Sequence, residues 1–591
     1  MLTRTQFLKG GAVGGAAILL PRGPLLSGAA FAGTTTPKLQ PFVDPLPLLV
    51  DNAIDATEGG NVSLTAGLVS RKVHRDLPAT TLFGYLRPGG PGPIDATASY
   101  LGPAILARRD VPVRVAYRNT LQPDDYLRVF TNGGSSYLQF AATPEVRTLT
   151  HLHGAFVAGD DDGNPYATPG GFRTGETQTV TYPNEQAATL LWYHDHAMGD
   201  TRMNVVAGLA AGYVVRDSFD TGTNPLLPGP LGRYELPLVV QDRMFDASGA
   251  LLYPTSGPDT NGPWIGEYFG DVMLVNGKVW PDLVVEPAVY RFRVLNGCNA
   301  RILNLNFGAV PTYVIGAEGG LLPGSPVAVD KLVMGPAERF DVVCDFRAFA
   351  GQTLFVTNTA PPPPVSTPAR ALVQVMRIRV AATASSDAPM NVPAAGSLPS
   401  NAEIDALLAL GPPQLSGGSV PGRMLTLNEV GAETAVWQLN VNGRAFGDAE
   451  PVLETLKWNA VEDWYYVNTT GDTHPMHTHL FMFKVLGRYA FDADAYADAY
   501  GTEGYGVPQQ DVATLARYLR SGLQPAAPVE AGFKDTVKAN PGQVTVVRAR
   551  FALPSTALNG RKLVKEQRYV HHCHIVEHED NDMMERFVVR P

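Results

Sequence analysis

Cysteine is nearly absent from this sequence: Cys298, Cys344 and Cys573 are the only three in 591 residues. A disulfide framework is thereby excluded, and at most one bridge, Cys298 to Cys344, is conceivable in an oxidising compartment. Charge is scarce too, at 17% Asp, Glu, Lys and Arg, and its formal balance is −10. No basic patch answers the demand of a phosphate backbone or an anionic lipid surface, so nucleic acid is not an expected partner. After the N-terminus, no stretch approaches the roughly 18 consecutive apolar residues of a membrane helix, and no membrane span is expected in the mature chain.

The one apolar stretch of note opens the sequence. Arg4 and Lys9 precede about a dozen apolar residues, too few to span a bilayer, and Ala30-Phe31-Ala32 offers a small-x-small cleavage site. Residues 1–32 are therefore expected to be an export signal, placing the mature protein in the periplasm or outside the cell. Thr3-Arg4-x-x-Phe7-Leu8-Lys9 resembles a twin-arginine signal, except that Thr5 stands where the second arginine belongs.

Glycine and proline are abundant, at 60 and 49 residues. Together with frequent Val, Thr, Tyr and Phe they predict many short strands joined by turns, an all-β chain of two to four domains. Alternating segments such as Val111–Tyr117 and Gln178–Tyr182 place a first β-sandwich over residues 33–217. A second is expected over 218–380 and contains no histidine. An Ala/Ser/Pro/Gly-rich stretch, 381–422, reads as a surface linker, and a third sandwich with an insertion at 490–530 fills 423–591.

Ten of the twelve histidines crowd into four short runs: His151 and His153, His194 and His196, His474 with His477 and His479, and His572 and His574 with His578. A single His-x-His on a strand is commonplace, because period two simply puts both imidazoles on one face. Four runs in one chain supply eight or more neutral nitrogen ligands, with thiolate sulfur available in the same neighbourhood only from Cys573. Cys573, His578 five residues on and Met583 ten residues on form a Cys-His-Met set. One distant histidine, for which His474 is the candidate, completes the trigonal His₂Cys site with weak axial Met that defines blue copper. If Cys573 points to one metal, strand alternation turns His572 and His574 the opposite way, toward others.

The motifs HLHG (151–154), WYHDHA (192–197), HPMHTHLF (474–481) and HCHIVEHEDNDMM (572–584) resemble the four copper motifs of the multicopper oxidases. Within that family the likeness is to three-domain bacterial laccases of the spore-coat type, bilirubin oxidases and phenoxazinone synthase. It is longest in HDHAMGDTRMNVVAGLAAGY (194–213) and weaker in FVDPLP (42–47) and GPAERFDVV (335–343). The resemblance implies three consecutive cupredoxin-like Greek-key β-sandwiches carrying four copper ions. It implies a type 1 copper on His474, Cys573 and His578 with Met583 axial, and a type 2 copper on His151 and His477. A type 3 pair would take His153, His194, His196, His479, His572 and His574. His74 and His571 receive no metal role.

The implied activity couples one-electron oxidation of a small phenolic or aminophenolic reductant to four-electron reduction of dioxygen to water. That reduction consumes protons, and Glu579 and Asp162 resemble the family's proton-relay positions. An oxidase of Mn(II), Fe(II) or Cu(I) is the alternative. The acidic run at 490–498 is expected to favour it if it covers the type 1 site, whereas the 13 dispersed methionines count against a dedicated cuprous oxidase. A mere electron carrier would need only the type 1 set. Nothing in the sequence indicates an oligomeric state.

Overall fold

The computed structural model describes residues 35–130, 145–253, 260–261, 264–361, 372–432, 435–446, 454–500, 511–559 and 562–591; the expected export signal lies outside them. Short strands dominate, and their burial follows the period of two. Val113–Asn119 alternates buried and less buried positions along its length, so one face meets a core and the other meets solvent.

The described strands pair into three sandwiches. In the first, a five-stranded sheet that includes Thr150–His153, Thr189–Asp195 and Ala210–Arg216 lies over a four-stranded sheet with Gly60–Arg71 at its centre. Between them is a core of Val62, Leu64, Val115, Leu152, Leu190, Tyr193 and Val214. The second stacks an eight-stranded on a five-stranded sheet, with Phe292, Val314, Val342 and Met376 inside. The third has a six-stranded sheet with Val461–Asn468 and Gln543–Arg550. Facing it is a five-stranded sheet ordered Glu454–Lys457, Met584–Arg590, Gln567–Cys573, His474–Thr478 and Thr536–Ala539. Trp464, Tyr466, Phe551 and Phe587 fill the space between.

The structure bears on three points of the sequence reading. Cys298 and Cys344 are buried free thiols. Cys344 pairs with Tyr290 at one end of Val289–Asn296, while Cys298 follows the other end, a separation of roughly 20 Å at about 3.3 Å per residue. That distance excludes a bridge. The 381–422 stretch is more than a tether: it forms the helix Ala402–Leu408, which buries Ile404 and Leu407, and Arg548 donates to the carbonyls of Leu407 and Gly411. Finally, the described parts of the 490–530 insertion do not cover Cys573. They pack on the outer face of the six-stranded sheet, where Phe491, Tyr496, Val512 and Leu515 meet Tyr465, Val467, Val544 and Val546. Cys573 lies on the other side of that sheet, in the inner core.

Tyr496 anchors this outer layer, its ring 5.5, 4.9 and 5.4 Å from those of Phe491, Tyr500 and Tyr518. Tyr496→Ala is expected to cost about 3 kcal/mol locally. Limited proteolysis should then open the insertion while the optical properties of the Cys573 site stay unchanged. A variant that altered the Cys573 spectrum would show that the insertion does reach that site.

Candidate metal centre

Two strands from each outer sandwich assemble the histidines. Thr150–His153 pairs with Thr189–Asp195 so that His151 lies opposite His194 and His153 opposite Trp192. His474–Thr478 pairs with Gln567–Cys573, placing His477 opposite His572 and Met476 opposite Cys573. Alternation then separates the faces: Met476 and Cys573 enter the core of the third sandwich, while His477 and His572 turn toward the first. His571 shares the core face and packs 5.2 Å from the Trp464 ring. His74 is distant from all of this, bonded through Nε2 to the Gln40 carbonyl.

Eight buried imidazoles meet between the sandwiches in three sets, within each of which the candidate donor atoms lie inside 4.8 Å of one another. His153 joins His194 and His574; His196 joins His479 and His572; His151 joins His477 and His479. The ring protons are placed by backbone carbonyls, which can only accept. His151 Nδ1 donates to the Asp162 carbonyl (2.6 Å), His194 Nδ1 to that of Asp195 (2.8 Å), His477 Nδ1 to that of Asp535 (2.9 Å) and His572 Nδ1 to that of Cys573 (3.0 Å). Each of these rings is left with a bare Nε2. Those of His151, His194 and His477 have no hydrogen-bond partner. The His572 Nε2 lies 3.2 Å from that of His196 and 3.3 Å from that of His479. With the His479 proton on Nδ1, toward Asp162, the His479 and His572 lone pairs are turned on one another in a dry site and repel, and a cation between them removes the conflict. Burial holds the pKa of all eight below the ordinary histidine value, so they stay neutral, the form that ligates metal.

A second centre lies across the strand. Cys573 Sγ is 3.6 Å from His474 Nδ1 and 3.7 Å from His578 Nδ1, and the two Nδ1 atoms are 3.3 Å apart. Thr470 Oγ1 lies 2.7 Å from His474 Nε2, which fixes the ring with Nδ1 toward the thiol. Met583 is folded back against both ligand candidates: its N–H donates to the His578 carbonyl and its carbonyl accepts from the Cys573 N–H. One thiol and two imidazoles, with the buried Met583 in the same core, suit copper.

Both carboxyls singled out from the sequence are buried beside the cluster. Glu579 has one oxygen 3.3 Å from His196 Nδ1 and the other 3.4 Å from His572 Nδ1. Burial, with Asp580, Asp195 and Glu577 adding their charge, holds its pKa well above the usual range. Asp162 Oδ2 accepts from His479 Nδ1 at 2.6 Å, and burial lifts its pKa to about 6. Within the DDDG run only Asp160 is a solvated charge; Asp162 is turned inward because Gly163 (φ +72°) lets the chain pass where a Cβ would sit 2.0 Å from the Thr150 carbonyl. Sequence reasoning missed Asp535, 3.1 Å from His153 Nε2, and Trp192, stacked 4.1 Å from His194. Neither sits in a spacing that marks a ligand.

Over 571 residues the chain is 34% identical to the laccase of Bacillus stratosphericus, covering 92% of this chain and 98% of that protein. It belongs to the multicopper oxidase family. The laccase of Bacillus subtilis (strain 168) is likewise 34% identical, over 562 residues, with the same shares covered. Multicopper oxidase family models match residues 138–219 and 420–591, the two regions that carry the histidine runs. Among solved structures, the McoA multicopper oxidase of Aquifex aeolicus superposes with a TM-score of 0.67 at 24% identity, over 94% of this chain and all of the other. The cupredoxin-type all-β fold is thus shared. This multicopper oxidase is a copper-dependent oxidoreductase with dioxygen as acceptor.

Cys573→Ser removes the thiolate whose charge transfer colours blue copper while sparing the histidine cluster. The purified variant is expected to be colourless, inactive and one copper short of the wild type. Retention of an intense blue band would remove Cys573 from the metal centre.

Proposed function

We propose that this multicopper oxidase is laccase-like, oxidising phenolic or aminophenolic small molecules one electron at a time with dioxygen as the final acceptor. In this reading His474, Cys573 and His578 would hold a type 1 copper, with Met583 as a further weak thioether donor. His151 and His477 hold a type 2 copper, and His153, His194, His196, His479, His572 and His574 hold a type 3 pair, four ions in all. Copper bound there would accept substrate electrons singly at the first site and deliver four to dioxygen at the cluster. The observation that carries the reading is the end of one strand: Cys573 enters one donor set while His572 and His574 enter two others. A few covalent bonds of this chain therefore join the two centres.

The protein's own residues supply protons and exclude water. Glu579, buried between the His196 and His572 rings, stays protonated and can give up a proton beside the cluster. Asp162, bonded to His479 and to the Asn164 side-chain amide, holds a second position beside the cluster.

Metal-ion oxidation is the second reading, and one feature favours it. Glu429 lies 3.8 Å from His474, and a carboxylate there would suit Fe(II) or Mn(II). The acidic run at 490–498 no longer supports it, since its helix packs elsewhere. Steady-state oxygen uptake with phenols, aminophenols, bilirubin, Cu(I), Fe(II) and Mn(II) decides between the two. Turnover of the organic reductants at least tenfold above the metal ions is the expected result, and the reverse order would overturn it.

Glu579→Gln keeps the size of the side chain but cannot pass a proton. Copper content and blue colour should match the wild type, and turnover should fall by roughly 10²-fold. In stopped-flow, anaerobic bleaching of the blue band should be unaffected and its return on mixing with oxygen slowed. Slow bleaching with normal reoxidation would place Glu579 on the substrate side instead.

A further inference from the structure

Arg339 belongs to the second sandwich, the one without histidine, yet its guanidinium reaches the cluster. It begins the strand Arg339–Asp345, and its Nη1 and Nη2 donate to Asp535 Oδ1 and Oδ2 at 2.7 and 2.6 Å. Both residues are buried. Asp535 Oδ1 also accepts from Thr536 Oγ1 at 2.9 Å and lies 3.1 Å from His153 Nε2. A carboxylate clasped in this way only accepts, so His153 carries its proton on Nε2. Its Nδ1 then remains bare, without a hydrogen-bond partner, in the set shared with His194 and His574.

The guanidinium is itself held from two sides. Its Nε donates to the carbonyl of Leu190, in the strand that carries His194, and Nη1 donates to that of Ala337. The Arg339 N–H donates to Glu318 Oε1 at 3.1 Å, and Glu318 is in turn bound by Lys534 through both oxygens. The last residue of the HLHG motif records the same arrangement. A Cβ on Gly154 would sit 2.6 Å from Arg339 Nη2 and 2.6 Å from Asp535 Oδ2, at a φ of +86°. Only glycine lets the chain carrying His151 and His153 pass beneath the ion pair.

We propose that Arg339 is a positioning residue of the copper cluster: acting through Asp535, it locks His153 in the Nε2–H tautomer and aims Nδ1 at the metal position shared with His194 and His574. The inference rests on the reading of those three histidines as copper ligands. The bland reading of the same contacts is a peg joining three sandwiches, which would affect stability alone.

The test uses copper-loaded protein. Arg339→Lys keeps the charge but cannot grip both carboxylate oxygens. Asp535→Asn keeps the shape but offers either a donor or an acceptor, which releases the tautomer of His153. The double variant Arg339→Met with Asp535→Asn leaves no buried charge stranded, so it tests the proposal even if a single variant fails to fold. Copper stoichiometry, the blue band and the electron paramagnetic resonance of the cluster are recorded for each, with thermal midpoints alongside. Loss of a ligand-orienting partner typically costs 10- to 100-fold in metal affinity. The expected result is a loss of that order for cluster copper and of the magnetic silence of a coupled pair, with the blue band at wild-type intensity. Folded variants that keep wild-type copper content and magnetic signature, with only a lower thermal midpoint, would reduce the ion pair to a peg. Wild-type protein that bound no copper at the histidines would instead sink the ligand reading, a distinguishable failure.

Discussion

The bare Nε2 atoms of His572 and His479, 3.3 Å apart in a space closed to water, are the constraint on which the rest of this structure depends. Neutral rings in that arrangement have given up the hydration of their inward nitrogens without gaining hydrogen bonds there, a cost that grows with each added ring. The fold answers with a shell of acceptors. Backbone carbonyls of Asp162, Asp195, Asp535 and Cys573 take the outward proton of four rings, and the carboxyls of Asp162 and Asp535 face His479 and His153. Each acceptor settles a tautomer before any metal arrives, so the site is oriented for cations by groups that never touch them.

The same demand explains why the centre lies between sandwiches. A single sheet face offers its ligands in a row, whereas the cluster needs donors converging from several directions. Opposing two sheet faces achieves this, at the cost of an interface that must not slip. Contacts across it are accordingly charged and buried. Asp580, two residues after His578, accepts from the N–H groups of Gly199 and Arg202 and from the Arg202 guanidinium, tying the turn after His196 to the third sandwich. The middle sandwich contributes no histidine but adds Asn299, which joins Arg202 to Glu577, and Arg339, which joins Leu190 to Asp535. Buried pairs of this kind add little net stability, yet removing one partner is costly, so they enforce a single register between domains.

On the proposed reading, electron transfer and proton supply would be divided along one short segment. From His572 to Met583 the chain contributes a thiol, three imidazoles, a thioether and Glu579, and the helix Val576–Asp580 turns Glu579 back toward the cluster while His578 faces Cys573. Burial does opposite things to these groups for one reason, the exclusion of water. It holds the His572 pKa below the ordinary histidine value and that of Glu579 above the ordinary carboxyl value.

The sequence by itself determined the donor types and their faces. His572, Cys573 and His574 alternate because a strand has a period of two, and that local rule holds before any tertiary contact forms. The same rule, with glycine and proline at the turns, made an all-β chain legible. What only the tertiary structure decided is which imidazoles meet and what stands behind them. Asp535 lies 382 positions from the His153 it orients, and Arg339 lies 196 from Asp535; no periodicity links residues so far apart. The placement of the described parts of the 490–530 insertion away from Cys573 and the separation of Cys298 from Cys344 escaped for the same reason. Spacing along a chain reports direction within one element, whereas convergence is set by how whole sheets pack.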